Sequence, residues 1–183
     1  MTTTALAPNG TTSRTRMAGL ACLLGGLLGA AGGLYPALRT PVVAEDMWTY
    51  PLRAGGEFAT MQTMFALTHV GMLPGLLALG WCGAVPPSRW GRIGRGVAMA
   101  GMAVLTVNEF VAISVAGEPS DSSSAGNVGA VYGVATLMIA IGMIVAGVAA
   151  IRGGARSGWQ QWLPLVVGRL ADRSHDASPV RRG

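Results

Sequence analysis

The chain has 183 residues, of which 51% are hydrophobic and only 11% are charged. Soluble domains carry about 25% charged residues, so this composition excludes an ordinary water-exposed domain and indicates lipid as the surrounding solvent. The formal net charge of +5 comes from arginines that flank the apolar runs. This distribution argues against a nucleic-acid-binding patch and favours a membrane-orientation signal.

Four apolar windows are long enough to cross a bilayer, since a spanning helix needs about 20 residues. They cover residues 17–38, 61–82, 96–116 and 128–151. The sequence therefore predicts an all-α integral membrane four-helix bundle, with its transmembrane domain over residues 17–152. We expect residues 1–16 to form a disordered cytoplasmic N-terminus, and residues 153–183 to hold a short interfacial helix and a disordered tail.

The first window also has features of a secretory signal peptide. Arg14 and Arg16 precede it, and Gly29, Ala30 and Ala31 offer small residues inside it. However, the apolar run continues to residue 38, which is longer than the usual apolar core of a signal peptide. We therefore expect this segment to be retained as a spanning helix.

The segment after the fourth window, residues 159–170, is apolar but too short to span. Charged residues follow its apolar core at Arg169, Asp172 and Arg173. Such a segment is typical of a helix that lies in the membrane interface. We expect it to rest on the inner leaflet.

The arginines predict an orientation for the four spans. Eleven of them lie before the first span, between the second and third, or after the fourth, whereas only Arg39 and Arg53 lie on the other side. By the positive-inside rule, both termini then lie in the cytoplasm and the protein is a multi-pass component of the cell membrane.

Small residues form rows on several predicted spans. Gly25, Gly29 and Gly33 make a GxxxGxxxG row on the first span, which predicts either close packing within the bundle or a homodimer face. Other small residues are also expected to serve packing: Gly26, Ala30 and Gly32 on the first span, Gly96, Ala100 and Gly101 on the third, and Gly129, Gly133, Ala140, Gly142 and Ala146 on the fourth.

Glu109 is the one acidic residue inside a predicted span. An ionisable group at this depth is costly, so it suggests function when a partner can be named. Glu109 lies roughly 10 Å below the outer end of the third span, and His69 lies roughly 12 Å below the outer end of the second. The two side chains are therefore predicted to meet at one depth.

Further polar residues share this layer, and the inner half of the bundle has no comparable set. The candidate ligand-binding residues are Gln62, Thr68, His69, Thr106, Asn108, Glu109, Tyr132 and Thr136, with Glu109 and His69 also the catalytic candidates. The pattern predicts a polar cavity between spans two, three and four that opens toward the outer leaflet. Residues 39–60 are placed to cover it.

A buried carboxylate beside an imidazole can relay protons, act as a general acid or bind a cationic or hydroxyl-bearing amphiphile. The structural alternative is an interhelical hydrogen bond that joins two spans. A haem site lacks a second intramembrane histidine, since His175 lies in the polar tail. One His and one Glu also fall short of the usual protein ligands of a metal, so we expect no metal and no cofactor.

The arginine-flanked spans and the Gly-Trp-Gln-Gln-Trp-Leu-Pro-Leu stretch at residues 158–165 resemble small multi-pass membrane proteins common in actinobacteria, whose activity is uncharacterised. A second likeness is to membrane-embedded terpene cyclases, which use intrahelical acids to protonate a lipid-like substrate. Only Glu109 carries that likeness, because a second intramembrane acid is missing.

These observations favour a non-enzymatic membrane protein whose expected partner is the lipid bilayer. It would serve as an accessory or assembly subunit, or as a binder of a lipophilic small molecule. Two alternatives stay open: an intramembrane acid–base enzyme acting on a terpenoid-like substrate, and a component of proton- or cation-coupled transport.

Overall fold

The computed structural model describes residues 9–154, which form four α-helices joined by three loops. The helices are α1 (Asn9–Leu38), α2 (Gly56–Trp81), α3 (Arg89–Ser114) and α4 (Ser123–Arg152). We call residues 39–55 the first loop, residues 82–88 the second loop and residues 115–122 the third loop. All four helices are long and apolar enough to cross a membrane, so the chain is a multi-pass integral membrane protein. The predicted all-α four-helix bundle is confirmed.

The helices begin ahead of the apolar windows from which they were predicted. The first helix begins at Asn9, so residues 9–16, expected to be disordered, are part of α1. The third begins at Arg89, ahead of the predicted window. A helix satisfies its own main-chain hydrogen bonds, and it can therefore continue past the hydrocarbon edge into polar sequence. The predicted interfacial helix and tail fall in residues 155–183, outside the described residues, and the orientation in the membrane stays a prediction.

Serine side chains begin α3 and α4. Ser88 Oγ accepts a hydrogen bond from Gly91 N at 3.1 Å, and Ser122 Oγ accepts one from Ala125 N at 3.2 Å. Each bond satisfies a first-turn N–H that has no carbonyl partner within its own helix. Helix α2 instead follows Gly55, whose φ of 101° is in the region that favours glycine.

The helices pack in chain order. Within residues 9–154, α1 packs on α2, α2 on α3 and α3 on α4, while the main chains of α2 and α4 are not in direct contact. Helices α1 and α4 therefore each pack on a single neighbour, and α1 carries the longer row of exposed apolar side chains. Its large apolar side chains that are more than half exposed are Met17, Leu20, Leu23, Leu24, Leu27, Leu34 and Leu38. Such a surface suits acyl chains, because there is no hydrophobic penalty for exposing it to lipid.

The closest helix contact joins α3 to α4 through small residues. A Cβ added to Gly142 would lie 2.5 Å from Ala98 N and 2.6 Å from Gly94 O. Main-chain atoms of the two helices therefore touch directly, as small residues permit in lipid. The prediction placed Gly142 on a packing face, which the structure bears out. It was wrong for Gly96, which has no neighbour within 4 Å of its would-be Cβ, because the helix turns Gly94 and Ala98 toward α4 instead.

The glycine row of α1 packs within the same chain. A Cβ on Gly25 would lie 3.0 Å from Thr68 O and 3.2 Å from main-chain atoms of Gly71 in α2. Gly29 lies against the Thr68 side chain, and Gly33 has nothing within 4 Å. Gly25 and Gly29 thus serve packing inside the bundle, which is the first of the two alternatives that the row allowed.

The first and third loops lie together at one end of the bundle. Trp48 N donates to Glu118 O at 3.0 Å, and Ser120 N donates to Asp46 O at 2.6 Å. The Trp48 side chain packs against two apolar clusters below these loops, one around Leu52 of the first loop and one around Val128 of α4. The loops therefore form a joined cover over the ends of α2, α3 and α4.

Candidate functional site

Glu109 lies in α3 and is only 4% exposed. Its Oε2 accepts a hydrogen bond of 2.7 Å from the hydroxyl of Tyr132 in α4. That hydroxyl in turn accepts a hydrogen bond of 3.0 Å from Nε2 of Gln62 in α2. A chain of hydrogen bonds thus crosses three helices, and it joins α2 to α4 although their main chains do not meet.

His69 approaches the other oxygen of the same carboxyl group. Its Nδ1 is 3.7 Å from Glu109 Oε1, with the imidazole 16% exposed and the carboxyl 5% exposed. This separation permits an ion pair if the imidazole is protonated, but it is too long for a hydrogen bond. Nδ1 is accordingly buried without a hydrogen-bond partner among the described residues. The structure therefore places the two residues side by side, at the common depth their sequence positions suggested.

The remaining polar candidates are engaged elsewhere. Thr68, Thr106 and Thr136 each donate to the main-chain carbonyl four residues earlier in their own helix, at 3.0, 2.9 and 2.8 Å. Threonine commonly satisfies its hydroxyl in this way inside a helix. Asn108 Nδ2 donates to the carbonyl of Val128 at 3.2 Å, which ties α3 to α4. These four residues stabilise helices, whereas Gln62, His69, Glu109 and Tyr132 form the connected polar set.

A cavity of about 350 Å³ lies beside this set, at the end of the bundle covered by the first and third loops. Its lining residues are Trp48, Phe58, Gln62, Phe65, Glu109 and Tyr132. Four of these six side chains are aromatic, so the cavity combines apolar walls with one carboxyl group. The predicted cavity between α2, α3 and α4 is thus present as a space in the structure, and its predicted cover, the first loop, contributes Trp48.

The aromatic walls were not among the residues selected from the sequence. Phe58, Gln62, Phe65 and His69 recur at intervals of four, three and four residues along α2. Residues at this spacing share one helix face. The spacing could therefore have identified Phe58 and Phe65 from His69. Trp48 carried no such signal, because its place depends on how the first loop folds.

The first loop also holds three buried polar atoms without hydrogen-bond partners among the described residues. They are Arg39 Nε, Trp48 Nε1 and the hydroxyl of Thr49, a residue that is 1% exposed. A buried donor left unpaired costs about 1–3 kcal/mol. Trp48 lines the cavity through its ring, while its N–H is enclosed by protein.

A second polar cluster lies at the same end, between α1 and α2. Glu57 Oε1 accepts a hydrogen bond of 3.0 Å from the Tyr35 hydroxyl and lies 2.8 Å from Arg39 Nε, an ion pair without hydrogen-bond alignment. The guanidinium of Arg39 also lies 5.6 Å from the centre of the Tyr35 ring. These contacts close the end of α1 onto α2, and none of the three residues lines the cavity beside Glu109.

Within the cavity, Glu109 has no arginine partner among residues 9–154; its neighbours are the Tyr132 hydroxyl and the His69 imidazole. No group in the described residues donates a hydrogen bond to its Oε1. That oxygen can accept a hydrogen bond from a bound molecule or exchange a proton with His69. No group of three or more His, Cys, Asp and Glu side chains that could hold a metal occurs in the described part of the chain.

Comparison with known proteins gave no family for this chain. No family model matches it, and neither the curated proteins nor the solved structures contain a similar one. The resemblance to actinobacterial membrane proteins and to terpene cyclases therefore stays an expectation, and the functional argument depends on the site itself.

Proposed function

We propose that this membrane protein binds a small lipophilic molecule in the cavity beside Glu109, through a group on that molecule that donates a hydrogen bond. The observation that supports the proposal is the state of the Glu109 carboxyl. Tyr132 holds Oε2 in place, while Oε1 faces His69 at 3.7 Å without a hydrogen-bond donor. A buried acceptor fixed in this way is preorganised for a ligand donor.

The walls of the cavity specify the rest of the ligand. Trp48, Phe58 and Phe65 present aromatic surface, and binding sites for small molecules typically combine such walls with a few placed polar groups. A molecule with an apolar body and a single hydroxyl or protonated amine fits this arrangement. A hydroxyl would donate to Glu109, whereas an ammonium would also gain from the aromatic faces.

Binding can be measured by quenching of tryptophan fluorescence with brominated probes. We suggest 10-bromodecan-1-amine, 10-bromodecan-1-ol and 1-bromodecane, which differ only in the polar end. The part of the quenching that is lost in Trp48→Phe reports the cavity, because that variant keeps the other four tryptophans of the chain, Trp81, Trp90, Trp159 and Trp162. We expect the amine and the alcohol to bind more tightly than the alkane, by about tenfold for a charge-assisted hydrogen bond.

Glu109→Gln is the decisive variant for this binding. It keeps the shape of the side chain but removes the carboxylate, so we expect the affinity for the amine to fall about tenfold and that for the alcohol to fall less. Glu45→Gln is the matched control, because Glu45 is an exposed carboxylate in the first loop that does not line the cavity. Equal binding of all three probes, or an effect of Glu45→Gln as large as that of Glu109→Gln, would contradict the proposal.

A second candidate function is acid–base catalysis on a lipophilic substrate. The observation that favours it is the 2.7 Å hydrogen bond from the Tyr132 hydroxyl to Glu109, with His69 on the other side of the carboxyl. Such a set can deliver a proton and replace it. Incubation with a polyprenyl alcohol in heavy water distinguishes this function from binding. A catalyst would give products with deuterium bound to carbon, and Glu109→Gln would abolish them, whereas a binder leaves the alcohol unchanged.

For the orientation, we infer that both termini lie in the cytoplasm and that the cavity is in the half of the bundle facing away from it. Support comes from arginine: among the described residues, Arg14, Arg16, Arg89, Arg92, Arg95 and Arg152 lie at or beyond the end with the second loop. Positive charge concentrates on the cytoplasmic side. Reporter fusions in the first loop and after the last residue test this, with opposite locations expected for the two reporters.

A further inference from the structure

A second cavity lies at the opposite end of the bundle, between α3 and α4. It has a volume of about 440 Å³, and Glu109 is not among the residues that line it. Its lining residues are Pro86, Ser88, Trp90, Ile144, Val145, Val148, Ala149, Arg152 and Gly153. We call this space the α3–α4 groove. It shares no residue with the cavity proposed above to bind a lipophilic molecule.

The floor of the groove is an apolar strip of α4. Ile144, Val145 and Val148 are half-buried, and Ala149 beside them is buried. Positions at this spacing lie on one face of a helix, and residues 144–152 extend about 12 Å along its axis. The strip is therefore an open apolar surface that runs along α4. An acyl chain can lie along such a surface beside a membrane helix.

The rim of the groove is cationic and amphipathic. Arg152 is in the last turn of α4, is exposed and makes no hydrogen bond or ion pair within residues 9–154. The indole of Trp90, on the other side, is 63% exposed. Tryptophan at a helix end is typical of the headgroup level of a bilayer. The end of the apolar strip thus reaches the depth at which lipid phosphates lie.

In the described part of the chain, the charged side chains near the rim of the groove are all basic. Arg89 and Arg92 are in the first turn of α3, next to Trp90, while the acidic residues of the described chain lie in or near the first and third loops or at Glu109. Among residues 9–154, a bound anion at the rim would therefore meet positive charge and no carboxylate. A basic residue near a membrane surface contributes about 1 kcal/mol to the attraction of an anionic lipid.

We propose that the α3–α4 groove is a binding site for an anionic phospholipid, with one acyl chain along the apolar strip and the phosphate beside Arg152. We propose a lipid rather than a free anion because a free anion would leave the apolar strip uncovered. Arg152, which has no ion pair within residues 9–154, should favour anionic over zwitterionic headgroups, since only an anionic headgroup brings uncompensated negative charge to the rim.

The experiment uses the purified, delipidated full-length protein and native mass spectrometry. It is titrated with dioleoyl phosphatidylglycerol or with dioleoyl phosphatidylcholine. We expect phosphatidylglycerol to bind about fivefold more tightly, and Arg152→Gln to bring its affinity down to that of phosphatidylcholine. Val148→Trp fills the apolar strip and should weaken both lipids. Arg16→Gln is the matched control, because Arg16 is an exposed arginine on α1, away from the groove.

Several results would overturn the proposal. One is equal affinity for the two lipids in the unmodified protein, and another is an effect of Arg16→Gln as large as that of Arg152→Gln, which would indicate unspecific attraction. Unchanged binding in Val148→Trp would show that the lipid lies elsewhere. Displacement of phosphatidylglycerol by inorganic phosphate would show that the site recognises the free anion. Thermal denaturation without added lipid checks that each variant is folded.

Discussion

The two halves of the bundle are built in different ways. Near the first and third loops, hydrogen-bonded side chains around Glu109 join α2, α3 and α4, and a cavity lies beside them. Near the second loop, α3 and α4 touch through Gly94, Ala98 and Gly142 with main chain against main chain. Because lipid offers little hydrophobic driving force for helix association, close packing must supply it. The contrast shows that small residues bring the main chains of α3 and α4 together in one half, whereas hydrogen-bonded side chains join α2, α3 and α4 in the other.

The largest effect is expected where the contact is tightest. In Gly142→Ala, the new methyl group would lie 2.5 Å from Ala98 N, a main-chain atom that cannot move without shifting α3. We expect a loss of about 2–3 kcal/mol in the free energy of unfolding, as for other overpacked contacts. Unfolding by SDS in mixed micelles, followed by circular dichroism, measures it.

Gly96→Ala is the matched control for that substitution. It makes the same change in α3, but nothing lies within 4 Å of the added Cβ. We expect no loss, and a gain of up to about 1 kcal/mol from the higher helix propensity of alanine. A similar loss in both variants would mean that α3 and α4 are not in main-chain contact at Gly142.

A smaller effect is expected in the polar half. Tyr132→Phe removes the hydroxyl that donates to Glu109 at 2.7 Å and accepts from Gln62 at 3.0 Å. Both partners then lose a hydrogen bond in a buried place, so we expect a loss of about 1–2 kcal/mol in the same SDS assay. Tyr50→Phe, on an exposed tyrosine of the first loop, should leave stability unchanged. If both variants behave alike, the chain across α2, α3 and α4 does not contribute to stability.

The smallest effect concerns the third loop and depends on pH. Hydrogen bonds from Ser122 and Ser124 hold the pKa of the Glu118 carboxyl below its usual value of 4.5. Since the folded-state pKa is the lower one, ionised Glu118 stabilises the fold above the unfolded pKa, and this contribution is lost as pH falls through the folded pKa. Glu118→Gln should therefore lower the thermal midpoint slightly at neutral pH and leave it unchanged in strong acid. A difference that persists at low pH would contradict this assignment.

The sequence predicted the parts of the fold that depend on composition. The four spans follow from hydropathy and length, and the meeting of His69 with Glu109 follows from counting residues along two antiparallel helices. The sequence predicted less well how each helix is rotated about its own axis, and therefore which of its faces packs on a neighbour. Gly94 and Gly96 are equally small, and only the orientation of α3 against α4 decides which of them packs.

The same limit applies to the polar residues. Thr106 and Thr136 lie at the expected depth, but their hydroxyls return to their own helices, an option that every helical threonine has. Tyr132 was recognised, yet its position between Gln62 and Glu109 depends on the distance between α2 and α4, which no local pattern encodes. Trp48 lies in a loop whose path is fixed by long-range contacts to the third loop.

The cover formed by the first and third loops has a consequence for how a ligand would reach the cavity. The two loops are joined by main-chain hydrogen bonds such as those from Trp48 N and Ser120 N, and the cavity beside Glu109 opens at the surface of the bundle. Entry from the side would pass between α2 and α4, whose main chains are not in contact. The bilayer then acts as the reservoir of ligand. Occupancy of the cavity would then depend on the concentration of the ligand in the lipid. The partition coefficient of a compound between water and lipid would therefore affect its apparent affinity as much as its contact with Glu109 does.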